Sequence, residues 1–300
     1  MKKLLKKLTV AVLSVSCLFG AVACSSTVKG GSKIQVMTVT FDIDGTEKSV
    51  DFELYLNYAP GTIDHVKYLI GKGYYDGTLV SNVNKQIEFG EYEEGRVSKY
   101  TDKAKLSYVS AIKDYATADK TNGSSGTIKR YVDEEGKINE NYAINGEFEL
   151  NGIKGNKLDF SNGALVLKRE VGTESGDRSY DDTARATLAV TFSSNTYYDD
   201  TRAFAIIGKI KNSDDVTELK KLVGDDYTKD DGNTEYCYKG EYYMLKSDGK
   251  YYSLDDKGDY TVELDDESEI VEEFKSSETS KYLEIVPAKT IIVKSIKLGK

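Results

Sequence analysis

Tryptophan is absent from the 300 residues, and the chain has only two prolines, one histidine and three cysteines. Two prolines exclude a proline-rich linker architecture. A single histidine, His65, and so few thiols exclude zinc sites of the usual Cys/His type. A Ser-His-Asp triad would have to use His65, and no nucleophile elbow accompanies it. His65 falls inside a helical pattern, where a structural role is expected. Basic residues are also in deficit. The first 23 residues hold four lysines and no acid, so 41 basic residues less those four leave 37 against 50 acidic ones, a formal charge of −13. Such a surface repels a polyanion, and no nucleic acid partner is expected. Asp-rich turns such as "DDKGD" lack the full spacing of a calcium loop. Neither a metal nor a cofactor is implied.

What is present begins with a leader. "MKKLLKK" is a basic region, "LTVAVLSVSCLFGAVA" is apolar and small, and a polar tether follows Cys24. Ala21-Val22-Ala23 before Cys24 resembles a bacterial lipoprotein signal in which Cys24 takes the lipid. The same three residues also suit ordinary signal cleavage at that bond. The expectation is an exported protein, lipid-anchored through Cys24 to the cell membrane or envelope. Cys17 would leave with the leader, so Cys237 is the one remaining thiol. One thiol cannot form an intramolecular disulfide, and the core must hold the fold.

Hydrophobic residues at 39% and charged residues at 30% indicate a folded body. "KIQVMTVTFDIDGTEKSVDFELYL" alternates apolar and polar positions around Asp44-Gly45, which predicts a β-hairpin. In "APGTIDHVKYLIGKG", Pro60 suits the first helical turn, Ile63, Val66 and Ile70 recur near helical spacing, and Gly73 suits the C-terminal cap. "TLVSNV", residues 163–168, "ATLAVTFSS" and "RAFAIIGKIK" read as strands. "NSDDVTELKKLVG" reads as a helix capped by Ser213, with Val216, Leu219 and Leu222 facing the core. Residues 92–141 are polar and irregular, which suggests an insertion. Residues 225–282 are dense in tyrosine and acid, with Lys-Gly and Asp-Gly turns at strand spacing, and read as an antiparallel meander. "KTIIVKSIKL" closes the chain as an apolar strand.

Four blocks, in order, resemble the cyclophilin family of peptidyl-prolyl isomerases. "FELYLNYAPGTIDHVKYLIGKGYYDGT" is similar to the family's first strand pair and helix. "GEFELNGIKGNKLDFSNGALVLKRE" is similar to its middle block, "TYYDDTRAFAIIGKI" to a later strand, and "PAKTIIVKSIKL" to its closing strand. Together they cover most of residues 34–99, 142–223 and 286–298. The resemblance implies a mainly β fold: a closed cyclophilin-like barrel capped by two helices, with a loop insertion at about 92–141. On this reading residues 1–23 are the signal peptide and 24–33 a tether. Residues 34–224 and 283–300 form the barrel, and 225–282 an appended β-meander.

The resemblance also assigns a site. The catalytic arginine position of the family falls on Asn82, and its glutamine on Phe89. Its pocket phenylalanine falls on Ala189, next to Thr187, and its pocket histidine near Phe204. Val80 keeps an apolar wall of the groove. Rotation about an X-Pro bond faces a barrier of about 18–20 kcal/mol. A neutral Asn82 donates more weakly than a guanidinium, a shortfall of about 1–3 kcal/mol, or roughly ten- to a hundredfold in rate. Arg169 is the candidate substitute cation from the opposite wall. Three readings follow. The first is an isomerase-like lipoprotein acting on proline-containing segments of exported proteins, its activity weak or lost. The second is a non-catalytic peptide-binding or scaffold module. The third is a surface adhesin or glycan binder that stacks ligands on the tyrosine-rich meander.

Overall fold

The computed structural model describes residues 33–90, 107–122, 131, 137–138, 141–148, 158, 160, 162–169, 183–192, 204–276 and 283–299. The leader, Cys24, the tether up to residue 32 and much of the insertion lie outside these residues. Among the described residues no helix is long and apolar enough to cross a membrane.

Eight antiparallel strands close into a barrel. In chain order they are β1 (Ile34–Ile43), β2 (Thr46–Tyr55), β3 (Thr78–Asn82), β4 (Gln86–Phe89), β5 (Ala164–Leu167), β6 (Leu188–Thr191), β7 (Ala205–Ile210) and, after a second sheet described below, the closing strand Ile291–Leu298. Around the barrel the order is β1, closing strand, β3, β4, β6, β5, β7, β2. The first hairpin follows from its turn. Asp44 and Gly45 both have positive φ, 50° and 84°, as a two-residue turn matched to strand twist requires. That turn sets Val39 opposite Val50 and Met37 opposite Phe52, so the apolar face of each strand points inward. Met37, Val39, Phe41, Phe52, Leu54, Ile87, Phe89, Leu165, Leu188, Val190 and Ile207 fill the main core. Gly208 lets β7 close the barrel against β2, because a Cβ there would sit 2.4 Å from the Glu53 carbonyl oxygen.

Helix α1 (Pro60–Gly71) starts on Pro60 and buries Ile63, Val66 and Leu69. It ends at Gly73, whose φ of 65° and N–H bond to the Ile70 carbonyl stop the helix. The Glu147 carboxylate accepts the Thr62 N–H at 2.5 Å, so an anion satisfies the helix N-terminus. His65 is fully buried in α1, with Nε2 on the Arg185 carbonyl oxygen and Nδ1 on the Tyr131 hydroxyl. It is a structural residue.

Part of the segment read as irregular is helical. Helix α2 (Tyr108–Asn122) buries Tyr108, Ala111, Ile112 and Ala116, a spacing of three or four residues per turn. Its polar composition masks that narrow apolar stripe. Tyr115 stacks on Tyr68 of α1 at 4.1 Å between ring centroids. Helix α3 (Ser213–Lys220) begins one residue earlier than a Ser213 cap implies, with Asn212 at the cap, and runs into a 3-10 turn that buries Leu222. A short helix, α4 (Asp225–Thr228), follows.

The tyrosine-rich segment is a second antiparallel sheet: β8 (Thr234–Tyr238), β9 (Glu241–Leu245), β10 (Tyr251–Leu254) and β11 (Tyr260–Glu263), then helix α5 (Glu269–Lys275). Tyr238, Tyr243 and Tyr251 surround Phe274 of α5 at 5.5, 5.0 and 5.1 Å between centroids. A fifth strand, β12 (Glu284–Ile285), pairs with β8 at the edge of this sheet. It comes from the 283–300 segment assigned to the barrel. The same segment goes on to supply the barrel's closing strand, β13 (Ile291–Leu298).

Candidate functional site

In β4, Ile87 and Phe89 point into the core, which leaves Gln86 and Glu88 on the outer face of the barrel. Strand register extends Glu88 into a row. It lies opposite Ala189 of β6, which lies opposite Val166 of β5, which lies opposite Ile206 of β7. On the other side, a bulge in β3 sets Asn82 opposite Glu88. One outer-face row therefore runs Asn82, Glu88, Ala189, Val166, Ile206.

Its two ends differ in chemistry. At the β7 end, Phe160, Ala164, Val166, Ala189, Phe204 and Ile206 form an apolar cluster separate from the main core. Arg169 lies beside it with its guanidinium over Phe204 at 4.7 Å and Phe148 at 5.4 Å. At the β3 end, charge dominates. Lys168 Nζ lies 2.6 Å from Glu88 and 2.7 Å from Glu284. The Glu88 side chain is 1% exposed and that of Lys168 14%. Burial pushes the Glu88 carboxyl above the usual carboxylate range, Lys168 pulls it down, and Glu284 pushes it up again. Gln86 also donates to Glu88.

Asn82 is 4% exposed. Its Oδ1 accepts two backbone N–H groups, from Asn84 at 3.0 Å and from Ile285 at 3.1 Å. Its side chain lies beside Glu88, whose carboxyl it helps to hold down. Val83 N–H donates to the Ile285 carbonyl oxygen, and Asn84 Nδ2 to that of Leu283. β12 is thus seated on the end of β3, and Glu284 reaches over the outer face to Lys168.

The sequence-assigned residues divide between two environments. Asn82, Ala189, Phe204 and Arg169 lie on the outer face. Thr187 precedes β6 at the same alternation as Ala189 and is buried, with its carbonyl accepting the Lys168 N–H. Val80 and Phe89 lie in the barrel interior, where they are register partners. Phe89 meets Phe41 edge-to-face at 5.6 Å. The outward residue of β4 is Glu88, one position earlier. The cation facing Asn82 and Glu88 is Lys168, while Arg169 stacks on phenyl rings. Sequence reasoning did not identify Glu88, Lys168 or Glu284. The alternation in "QIEF" carries the signal for Glu88, since its apolar members are Ile87 and Phe89. Cys24 lies outside the described residues, among which no group of three His, Cys, Asp or Glu could hold a metal ion.

At the Asn82 position the side-chain oxygen is held by two backbone N–H groups, and the donor it presents is a neutral amide where the family resemblance implies a guanidinium. The arrangement also offers a backbone-reading edge at the end of β3, a lysine that takes carboxylates and an apolar cluster beyond. No protein-family model and no curated protein matches the chain. Among solved structures it is similar to a cyclophilin-type peptidyl-prolyl cis-trans isomerase of Cryptosporidium parvum, at 12% identity and a TM-score of 0.40, covering 89% of this chain and 99% of that one. A structure of the same isomerase in the presence of the dipeptide Ala-Pro is similar at 13% identity, with the same TM-score and coverage.

Proposed function

We propose that the protein is an isomerase-like, cyclophilin-type module that holds extended proline-containing segments of exported proteins on its outer face and isomerises them slowly or not at all. The closed barrel, the four resembling blocks and their order support the module. The observation that carries the loss of turnover is the engagement of Asn82, whose oxygen accepts two backbone N–H groups and so fixes the side chain between β3 and β12, with a neutral amide as its one remaining donor group. Stabilising a twisted amide requires preorganised donors aimed at the reacting group. Lys168, the nearest cation, is bridged between two carboxylates. A protease-coupled prolyl isomerisation assay on a soluble form beginning at residue 27 tests this. The expected acceleration is at least about a hundredfold below that of an arginine-bearing isomerase, equivalent to about 2.7 kcal/mol of barrier. Comparable turnover would rule the reading out.

Anchoring at the cell envelope belongs to the same proposal and is supported by the basic leader, the apolar run and Cys24 before a polar tether. A single acyl chain holds a protein only marginally, and stable anchoring takes more than one chain or signal. Cys24→Ala is expected to move the protein from the detergent phase to the aqueous phase on phase partition. A wild-type protein already in the aqueous phase would remove the anchor from the proposal.

A further inference from the structure

β12 is held along both edges. On one side Glu284 and Ile285 pair with Cys237 and Tyr236 of β8, and Val286 N–H reaches the Glu235 carbonyl. On the other, Asn82 Oδ1, Val83 N–H and Asn84 Nδ2 read the backbone of residues 283–285 at 3.1, 2.9 and 2.9 Å. These are contacts to main-chain atoms, which any extended segment possesses. The side-chain contact is different. Glu284 supplies the second carboxylate on Lys168, at 2.7 Å. Two residues further on comes Val286-Pro287, which contains one of the chain's two prolines. The barrel thus receives from its own chain an extended acidic-apolar-apolar-Pro segment, read by backbone hydrogen bonds and one lysine. That is the contact pattern of strand addition to a sheet edge.

We propose that residues 283–287 are an intramolecular pseudo-ligand of the outer-face groove. An incoming client competes for the end of β3 with an extended segment that places an acidic side chain on Lys168, shortly before a proline. This rests on the reading of the outer face as a peptide site given above. It assigns to that site a ligand class, acidic proline-containing strands, and a built-in competitor. Removal of β12 withdraws the Glu284 carboxylate from Lys168, so the vacated position calls for one carboxylate in its place. A tethered competitor has an effective concentration of the order of millimolar. An external peptide with the same contacts therefore binds the wild-type protein only in that range.

The test uses the full-length chain in mild detergent and a fluorescein-labelled peptide of residues 281–289, KYLEIVPAK. By fluorescence anisotropy, E284Q is expected to bind this peptide about tenfold more tightly than wild type does. The peptide with glutamine in place of its glutamate is expected to bind E284Q about tenfold more weakly. A second measurement needs no variant. Millimolar unlabelled peptide should accelerate amide hydrogen exchange at Ile285 of the wild-type protein, while Val83, whose N–H passes to the peptide's carbonyl, stays protected. Equal affinities for wild type and E284Q, or unchanged exchange at Ile285, overturns the pseudo-ligand. Equal binding of the glutamate and glutamine peptides overturns the acidic preference. If E284Q does not fold, the exchange experiment decides alone. Proline peptides that bind without disturbing Ile285 refute the pseudo-ligand and leave the peptide site standing. Failure of every proline peptide to bind either protein refutes both.

Discussion

Lys168→Met is expected to lower the unfolding free energy by about 3–5 kcal/mol at neutral pH, because it leaves a buried carboxylate without its cation. Glu88 is 1% exposed, and Lys168 is the group that pulls its carboxyl back toward the ionised form. With Lys168 gone, burial and Glu284 act together and raise the Glu88 carboxyl further. The sign of the pH dependence follows. A carboxyl whose folded pKa lies above its unfolded value binds more protons in the native state. Stability is then highest below the unfolded carboxylate range, about 4.3 for glutamate, and falls as pH rises through the raised folded value. Wild type shares this direction with a smaller amplitude. The difference between variant and wild type should therefore be largest at pH 7.5 and shrink toward pH 4.5 in urea unfolding. Adding Glu88→Gln to the variant removes the stranded charge and should recover most of the loss, a coupling expected of groups in contact. A pH-independent loss, unrelieved by Glu88→Gln, would assign the effect to packing of the lysine stem.

Much of the barrel was legible because its signals are local. The Asp44-Gly45 turn, the alternation on either side of it, Pro60 and Gly73 around α1, and the apolar centres of β5, β6 and β7 each lie within about a dozen residues of chain. The site was less legible because it depends on register. The bulge at Val80 to Asn82 carries no glycine or proline to mark it, yet it decides which residue of β4 faces Asn82. A one-residue slip exchanges the two faces of a strand, which separates Phe89 in the core from Glu88 on the surface. Lys168 and Arg169, which both reach the outer face, are told apart by their partners instead. Both are cations at the end of β5, and their roles are assigned by Glu88 and Glu284 on one side and two phenyl rings on the other. β12 was the least legible element. It has two residues, and its partners Asn82 and Asn84 lie 203 and 199 positions away from the atoms they bond. No local pattern announces a strand that exists only through such pairings.

Asn82→Arg is expected to destabilise the protein by at least about 2–6 kcal/mol, for two stranded donors, and to produce no gain in prolyl isomerisation. From the sequence alone, restoring an arginine at this position looks like a repair. The structure gives Asn82 a different task. Its Oδ1 is the acceptor for the Asn84 and Ile285 N–H groups, and arginine has no acceptor. Each buried donor left unpaired costs about 1–3 kcal/mol. The new guanidinium would also enter a site where Lys168 already neutralises Glu88, so part of any ion-pair gain is lost to repulsion between cations. Asn82→Ala separates these effects, since it removes the acceptor and adds no charge. It strands both donors and should cost about 2–6 kcal/mol, and the arginine variant should fall below it. Urea unfolding of the three proteins, alongside the protease-coupled assay, measures both quantities. An arginine variant as stable as wild type that also turns over proline peptides would show that β12 leaves the end of β3 readily, and that Asn82 is a lost catalytic position and not a joint between the two sheets.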